Sequence, residues 1–283
     1  CEYFYPELIP NLSTSKSPQS MLGAIIKTYY AEKNNLDPKD IFVVSIMPCT
    51  AKKYEVERPA LQNEDLPNVD ISITTRELAR LIRRNGIDWK KLPDEEFDQD
   101  LIGEYTGAGV IFGVTGGVME AALRTAYHTL TGEEMEPVVL TPCRGLDGVK
   151  EATVKINGTT LNIAMASGMK HAKPLLEDIK NGSSKYHFIE IMCCPGGCIN
   201  GGGQPFVKQV FLPNEEDEIL DTYIAKRAQV LYHEDENRPL RRSHLNPQIQ
   251  KLYNDFLGKP LSHKAEELLH TSYNKNREKY PTK

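Results

Sequence analysis

No apolar stretch in this chain approaches the roughly 20 residues that a membrane-spanning helix needs. The longest run only from Ile41 to Met47 and from Gly109 to Met119, so no span is expected. Internal repeats and low-complexity tracts are also missing, which sets aside solenoids and flexible arrays. Cysteine is sparse, and six in 283 residues cannot staple a fold of this length. The chain opens Cys1-Glu2-Tyr3-Phe4-Tyr5, with neither an initiator methionine nor a charged-then-apolar leader, so its start is expected to be a cut. Positive charge does not dominate, and a net charge of −5 disfavours nonspecific nucleic-acid binding.

What remains is a globular composition, 40% apolar and 26% charged, long enough for one large or two ordinary domains. Charge is uneven. Residues from Ile224 to Lys283 carry a net +5 and the rest −10, so the basic end is either a solvated face or a surface for an acidic partner.

Ser17-Pro18 reads as a cap and first-turn proline, followed by apolar residues at helical spacing to about Glu32. Ile41 to Met47 reads as a strand buried on both faces, stopped by Pro48. Val69 to Ile73 alternates like a strand, and Thr74 with Glu77 forms a capping box before a helix that ends at Gly86. Val110 to Phe112 reads as a strand running through Gly113-Val114-Thr115-Gly116-Gly117 into a helix. Val138 to Leu140, Ala152 to Ile156, Leu161 to Ala166 and Tyr186 to Met192 complete the strands, with a helix from Ser167 to Ile179 despite Pro174. This alternation predicts an α/β fold of twisted, mainly parallel sheets flanked by helices, with a helical C-terminal appendage. The expected domains are an α/β region over 1–220 and a helical segment over 221–283. In such folds sites form at the carboxyl ends of strands, where Cys49, the turn after Phe112 and Cys193 to Cys198 all fall.

The segment Cys193-Cys194-Pro195-Gly196-Gly197-Cys198-Ile199-Asn200-Gly201-Gly202-Gly203-Gln204-Pro205 is the most informative. Its glycines let the backbone pass close to a bulky inorganic group, and its thiolates can ligate iron. A zinc knuckle or a pair of buried thiols would also account for clustered cysteines. The Cys-x3-Cys spacing with an adjacent third thiol leans towards iron and sulfur, and clustered thiols suit a reducing, cytoplasmic compartment. Cys49, in Met47-Pro48-Cys49-Thr50-Ala51-Lys52-Lys53, follows a strand, with Lys52 placed to offer three donors to an anionic ligand.

These motifs occur in order with Glu55, Arg58 and Pro59, Thr74-Thr75-Arg76-Glu77-Leu78-Ala79, Gly107-Ala108-Gly109, Phe112-Gly113 and Thr115 to Ala121. Together they closely resemble the iron-only (FeFe) hydrogenases, nearly end to end. Arg242-Ser243-His244, Leu252-Tyr253, Pro260 and Leu268-Leu269-His270-Thr271 resemble that family's small-subunit segment, fused here to the catalytic part. The resemblance implies an H-cluster, a 4Fe-4S cubane linked to a diiron azadithiolate unit with CO and cyanide ligands. It implies Cys49, Cys194 and Cys198 as cubane ligands, with Cys198 the bridge to the diiron unit. Lys52 would donate to a cyanide, Ser13 would pass protons, and Gln19, Pro18, Met47, Phe112, Gly113 and Met192 would line the pocket.

The implied activity is that of a ferredoxin-type FeFe hydrogenase reducing protons reversibly to H2, with an electron partner such as ferredoxin and maturation proteins that build the cluster. A non-catalytic iron-sulfur carrier or assembly factor and a sensory hydrogenase are the alternatives within this fold. The family's fourth cubane ligand and proton-delivering cysteine belong to a Thr-Ser-Cys-Cys-Pro motif expected upstream of Cys1. The chain is therefore expected to be the C-terminal part of a longer enzyme, or half of a split one whose N-terminal module or partner subunit supplies those cysteines. Cys193 departs from the family's small apolar residue and is either a space-filling thiol or one beside the cluster that alters oxygen sensitivity.

Overall fold

Backbone pairing and side-chain caps divide the chain into short elements. The computed structural model describes residues 1–63, 66–96, 98, 102–207 and 216–275. In chain order these give α1 Pro18–Ile25, which a π-helical turn at Ile26–Tyr30 joins to α2 Ala31–Asn34, then β1 Val44–Met47 and α3 Ala51–Glu55. The two-residue strands β2 Gln62–Asn63 and β3 Leu66–Pro67 precede β4 Ile71–Thr74, α4 Thr75–Arg84, α5 Gly107–Val110 and α6 Gly117–Thr131. There follow β5 Val149–Ile156, β6 Thr159–Ser167, α7 Met169–Lys180, β7 Phe188–Met192, α8 Glu216–Asn237, α9 Pro247–Leu252 and α10 His263–Leu269.

The mixed α/β class is as expected, with β1 parallel to β4 and β6 parallel to β7. Strands β5 and β6 pair antiparallel, because Asn157 and Gly158 both adopt positive φ (48° and 78°) and close a tight hairpin. The chain forms two compact units, one of Cys1–Gly103 with Gln248–Lys283 and one of Glu104–Pro247. The helical C-terminal part is therefore shared between units, with α8 in the second and α10 in the first.

In the first unit, Ile25 and Tyr29 pack on Leu252, Leu257, Ala265 and Leu268. The capping box forms as expected, since the Thr74 hydroxyl accepts from Glu77 N–H and the Glu77 carboxylate accepts from Thr74 N–H at 2.8 Å. One expectation fails here, because β1 is not buried on both faces. Alternation turns Ser45 inward, where its hydroxyl donates to Gln19 Oε1 at 2.8 Å, and so turns Val44 and Ile46 to an exposed face.

The second unit centres on Met119, Leu123, Met135, Cys143, Ile156, Ile163 and Met165. Residues 110–112 end α5 and enter a 3-10 turn instead of a strand, because Thr106 Oγ1 accepts from Gly109 N–H at 3.1 Å and starts a helix. Residues 138–140 form no strand either. They lie between Pro137 and Pro142, neither of which has an N–H for a ladder. Helix α7 forms through Pro174 as expected.

Candidate metal centre

Strand β7 delivers the cysteine cluster in the second unit. Leaving Met192, the chain turns through Gly196 and Gly197, whose φ angles of 79° and 103° few side-chain-bearing residues adopt. Four contacts hold this turn. Gly196 N–H donates to Ser167 Oγ at 2.7 Å, Thr115 N–H to Gly196 O at 3.1 Å, Gly197 N–H to Cys194 O at 3.0 Å and Gly168 N–H to Met192 O at 2.7 Å. A Cβ on Gly197 would lie 2.7 Å from both Gly113 O and Thr115 N, so only glycine lets these two loops touch. Cys194 and Cys198 are half-buried on this turn, while Cys193 is exposed. Cys143 is buried, and burial pushes its thiol up to about 12, which makes it a poor ligand at neutral pH.

The loop carrying Phe112 and Gly113 is held by groups that sequence reasoning missed. Glu190, buried on β7, accepts from Gly116 N–H at 2.5 Å and Met119 N–H at 2.7 Å, placing a carboxylate at the start of α6. Lys150 donates to the carbonyls of Thr115 at 2.8 Å, Cys143 at 2.5 Å and Gly145 at 3.1 Å. Burial pushes the Glu190 carboxyl up and the Lys150 ammonium down. A charged residue inside the strand patterns Phe188–Met192 and Val149–Ile156 was the available signal for each. Behind them, Arg124 pairs with Glu120 at 2.6 Å and Asp235 at 2.9 Å, and Asp235 also meets Arg144 and Arg241 at 3.1 and 2.7 Å. Burial works to raise the Asp235 carboxyl, but Arg124 and Arg241 outweigh it and hold it at about 2.

Cys49 belongs to the first unit, where Met47 and Pro48 lead it from β1 towards α3, all three half-buried. Lys52 Nζ donates to Glu55 Oε2 at 2.5 Å. The other Glu55 oxygen accepts from Ser17 Oγ, from Ser20 Oγ at 2.9 Å and from Gln19 Nε2 at 3.3 Å. Burial works to raise this carboxyl, yet Lys52 and the serine hydroxyls prevail and lower it. Glu55 thus gathers Lys52 and Gln19 beside the exposed Pro18 at the first position of α1, a role signalled only by its spacing from Lys52. Ser13 is outside this set of bonds. It is exposed, its hydroxyl accepts from Ser15 N–H at 3.3 Å and its carbonyl accepts from Tyr273 OH at 2.6 Å.

The donor set suits iron and sulfur, since thiolates are the ligands such clusters take and Gly196-Gly197 leaves the backbone around them without side chains. In the second unit Cys194 and Cys198 offer two such thiols on one turn, and in the first unit Cys49 offers another beside Lys52, whose ammonium has two donors beyond its bond to Glu55. Taken unit by unit, the residues present are of the kind an iron-sulfur cluster takes.

Comparison with known proteins bears on this centre directly. Residues 1–202 match the family model for the C-terminal domain of the iron only hydrogenase large subunit, and residues 221–276 that for the iron hydrogenase small subunit. The chain is 52% identical over 272 residues to the NADP-reducing hydrogenase subunit HndD of Solidesulfovibrio fructosivorans, covering 96% of this chain and 44% of that one. It is 45% identical over 274 residues to iron hydrogenase 1 of Clostridium pasteurianum, covering 97% and 46%. The chain thus spans about half the length of these relatives. A solved [FeFe]-hydrogenase HydA1 of Chlamydomonas reinhardtii superposes with a TM-score of 0.78 at 42% identity, over 96% of this chain and 72% of that one. More distantly, the chain is 32% identical over 272 residues to the cytosolic Fe-S cluster assembly factor narfl of Xenopus tropicalis, covering 94% and 54%.

Proposed function

Because the chain belongs to the iron-only hydrogenase family, we propose that it is part of an FeFe hydrogenase that interconverts H2 with two protons and two electrons. The observation that carries this reading is the half-buried thiol pair Cys194 and Cys198 on a turn that Gly196 and Gly197 keep free of side chains. The bound H-cluster would supply the redox chemistry.

The likeness to the iron-only hydrogenases suggests roles for this chain's residues. Cys49, Cys194 and Cys198 would hold iron, with Cys198 the thiolate shared between cubane and diiron unit. Lys52 bonds to Glu55 through one N–H, which orients the ammonium, and the others are available to a cyanide. Gln19 is held at both ends of its amide, by Ser45 and Glu55, so it presents a fixed wall. By the same likeness Pro18, Met47, Phe112, Gly113 and Met192 would line the pocket, and the Ser13 hydroxyl, which can accept and donate a proton at Oγ, would pass protons on. An electron carrier such as ferredoxin, maturation proteins and a cytoplasmic setting complete the reading. Segments 1–220 and 221–283 would serve as H-cluster-binding and small-subunit-like parts. The remaining cubane ligand and the donor cysteine would come from an N-terminal module or partner subunit.

Infrared spectra of the full protein, matured in a host with the assembly machinery, test this. Bands of iron-bound CO and cyanide together with H2 evolution are expected, and Cys198→Ser should lose both. Iron without those bands in the wild type would favour the carrier or assembly role of the narfl-like relatives.

A further inference from the structure

In the second unit, away from the cysteine turn, His128 on α6, Glu134 in the loop after it and His244 in a 3-10 turn at Ser243–Leu245 present three ligand atoms within 4.8 Å of one another. We propose that these residues form a second metal site, for a divalent ion of the zinc class with a water in the fourth position.

Three observations carry this. First, Glu134 Oε1 stands 3.1 Å from both His128 Nδ1 and His244 Nε2, so two imidazole nitrogens converge on one carboxylate. Second, His128 Nδ1 is shut off from solvent and makes no well-aligned hydrogen bond despite that proximity. A buried ring nitrogen without an aligned hydrogen bond calls for a partner, and a cation between the rings and the carboxylate would be one. Third, the other nitrogen of His244 lies 3.2 Å from Thr125 Oγ1. At present His244 Nε2 meets the Glu134 carboxylate at 3.1 and 3.2 Å; an ion taking the place of that ring proton would shift the N–H to Nδ1, where Thr125 Oγ1 can accept it, the orienting bond that metal-ligating histidines use.

Electrostatics permit a cation. Arg242 pairs with Glu134 Oε2 at 2.9 Å and Glu136 at 2.6 Å, so with neutral imidazoles these groups sum to one negative charge. The rings are stacked, 4.4 Å apart and 13° from parallel, and both turn a nitrogen towards the same Glu134 oxygen. Two imidazoles and a carboxylate select zinc-class ions over magnesium, which takes oxygen ligands. His128 and Glu134 lie in the segment matched by the large-subunit model and His244 in that matched by the small-subunit model. The ion would clamp those segments together within this unit.

The test uses the full chain with its iron-sulfur sites loaded, so that the cluster thiolates do not compete. It is dialysed against micromolar Zn2+ and then metal-free buffer, and zinc is counted by plasma mass spectrometry. One equivalent is expected in the wild type, lost in His128→Ala and in the near-isosteric Glu134→Gln, with iron content unchanged. Thr125→Val should retain zinc with affinity weakened roughly 10- to 100-fold. Zinc should raise the melting temperature of the wild type and of neither ligand variant, and Mg2+ should raise none. No zinc uptake by the wild type, or equal uptake by Glu134→Gln folded to the wild-type circular dichroism spectrum, would overturn the proposal. Neither result depends on hydrogenase activity.

Discussion

In the second unit the turn bearing Cys194 and Cys198 rests on a serine hydroxyl, a backbone bond to Thr115, and a loop gripped by Glu190 and Lys150. In the first unit Cys49 follows a two-stranded ladder whose outer face exposes Val44 and Ile46 at 47% and 46%, with Phe42 just ahead at 70%. The first arrangement fixes its thiols through buried polar bonds that leave little room to relax. The second fixes its lysine through one carboxylate, Glu55, and leaves its sheet face apolar and bare. A thiol-bearing turn can thus be held by rigid enclosure in one unit, and a lysine beside a thiol by a single ion-paired hub in the other.

The most damaging way to break the enclosed half is Gly197→Ala. The Gly197 backbone, at φ 103° and ψ −164°, lies in a region that is essentially glycine's alone and costs a side-chain-bearing residue about 1–3 kcal/mol, and the crowding against Gly113 O and Thr115 N adds about 1–3. A loss near 4 kcal/mol is expected in urea unfolding. Hydrogen exchange should place the loosening at peptides over 188–207, and the protein should retain less iron. Exchange confined to the first unit would refute the idea that the glycine turn is the tight element.

Acid should separate the units next. Asp235 titrates at about 2 in the folded protein, below the unfolded value of about 3.9. Its stabilisation is therefore complete above about pH 4 and lost as pH falls towards 2, amounting to about 2 kcal/mol. Urea midpoints followed by hydrogen exchange in the second unit should fall across that window, and Asp235→Asn should flatten the fall. Glu77 in the first unit is also held at about 2, chiefly by Lys53 with help from Thr74. It is exposed enough for solvent to screen it, so its protonation should matter far less. An equal acid response from both units would remove the contrast.

Much of this was legible in the sequence where local chemistry decides. Thr74 and Glu77 announced the capping box, whereas the glycines after Cys194 were read as room for an inorganic group and at Gly197 also let the turn pack on Gly113 O and Thr115 N. The α/β class followed from alternating patterns, and the family from motifs in order. The strand expected at 110–112 failed because a cap at Thr106 outranked β-branched residues, a contest that propensity does not weigh. The double burial expected of 41–47 failed because an apolar run does not say which face meets a partner. Glu190, Lys150 and Asp235 stayed invisible as supports because each has a partner far along the chain, Gly116 at 74 residues, Thr115 at 35 and Arg124 at 111.

The smallest expected effect is the one that sharpens the comparison most. If the outer face of β1 contributes little to the first unit, Phe42→Thr should move its stability by no more than about 0.5 kcal/mol, as for other exposed positions. Threonine is β-branched, which suits the extended chain leading into β1, and it removes an aromatic ring from a bare apolar face. The melting temperature should then stay within a degree or two, and self-association by light scattering should fall, because an apolar strand face is a template for unwanted contacts. A loss above 1 kcal/mol would mean that Phe42 is covered in the working protein. The first unit would then be enclosed too, by something packed against β1, and the two halves would differ in where their enclosure comes from and not in whether they have it.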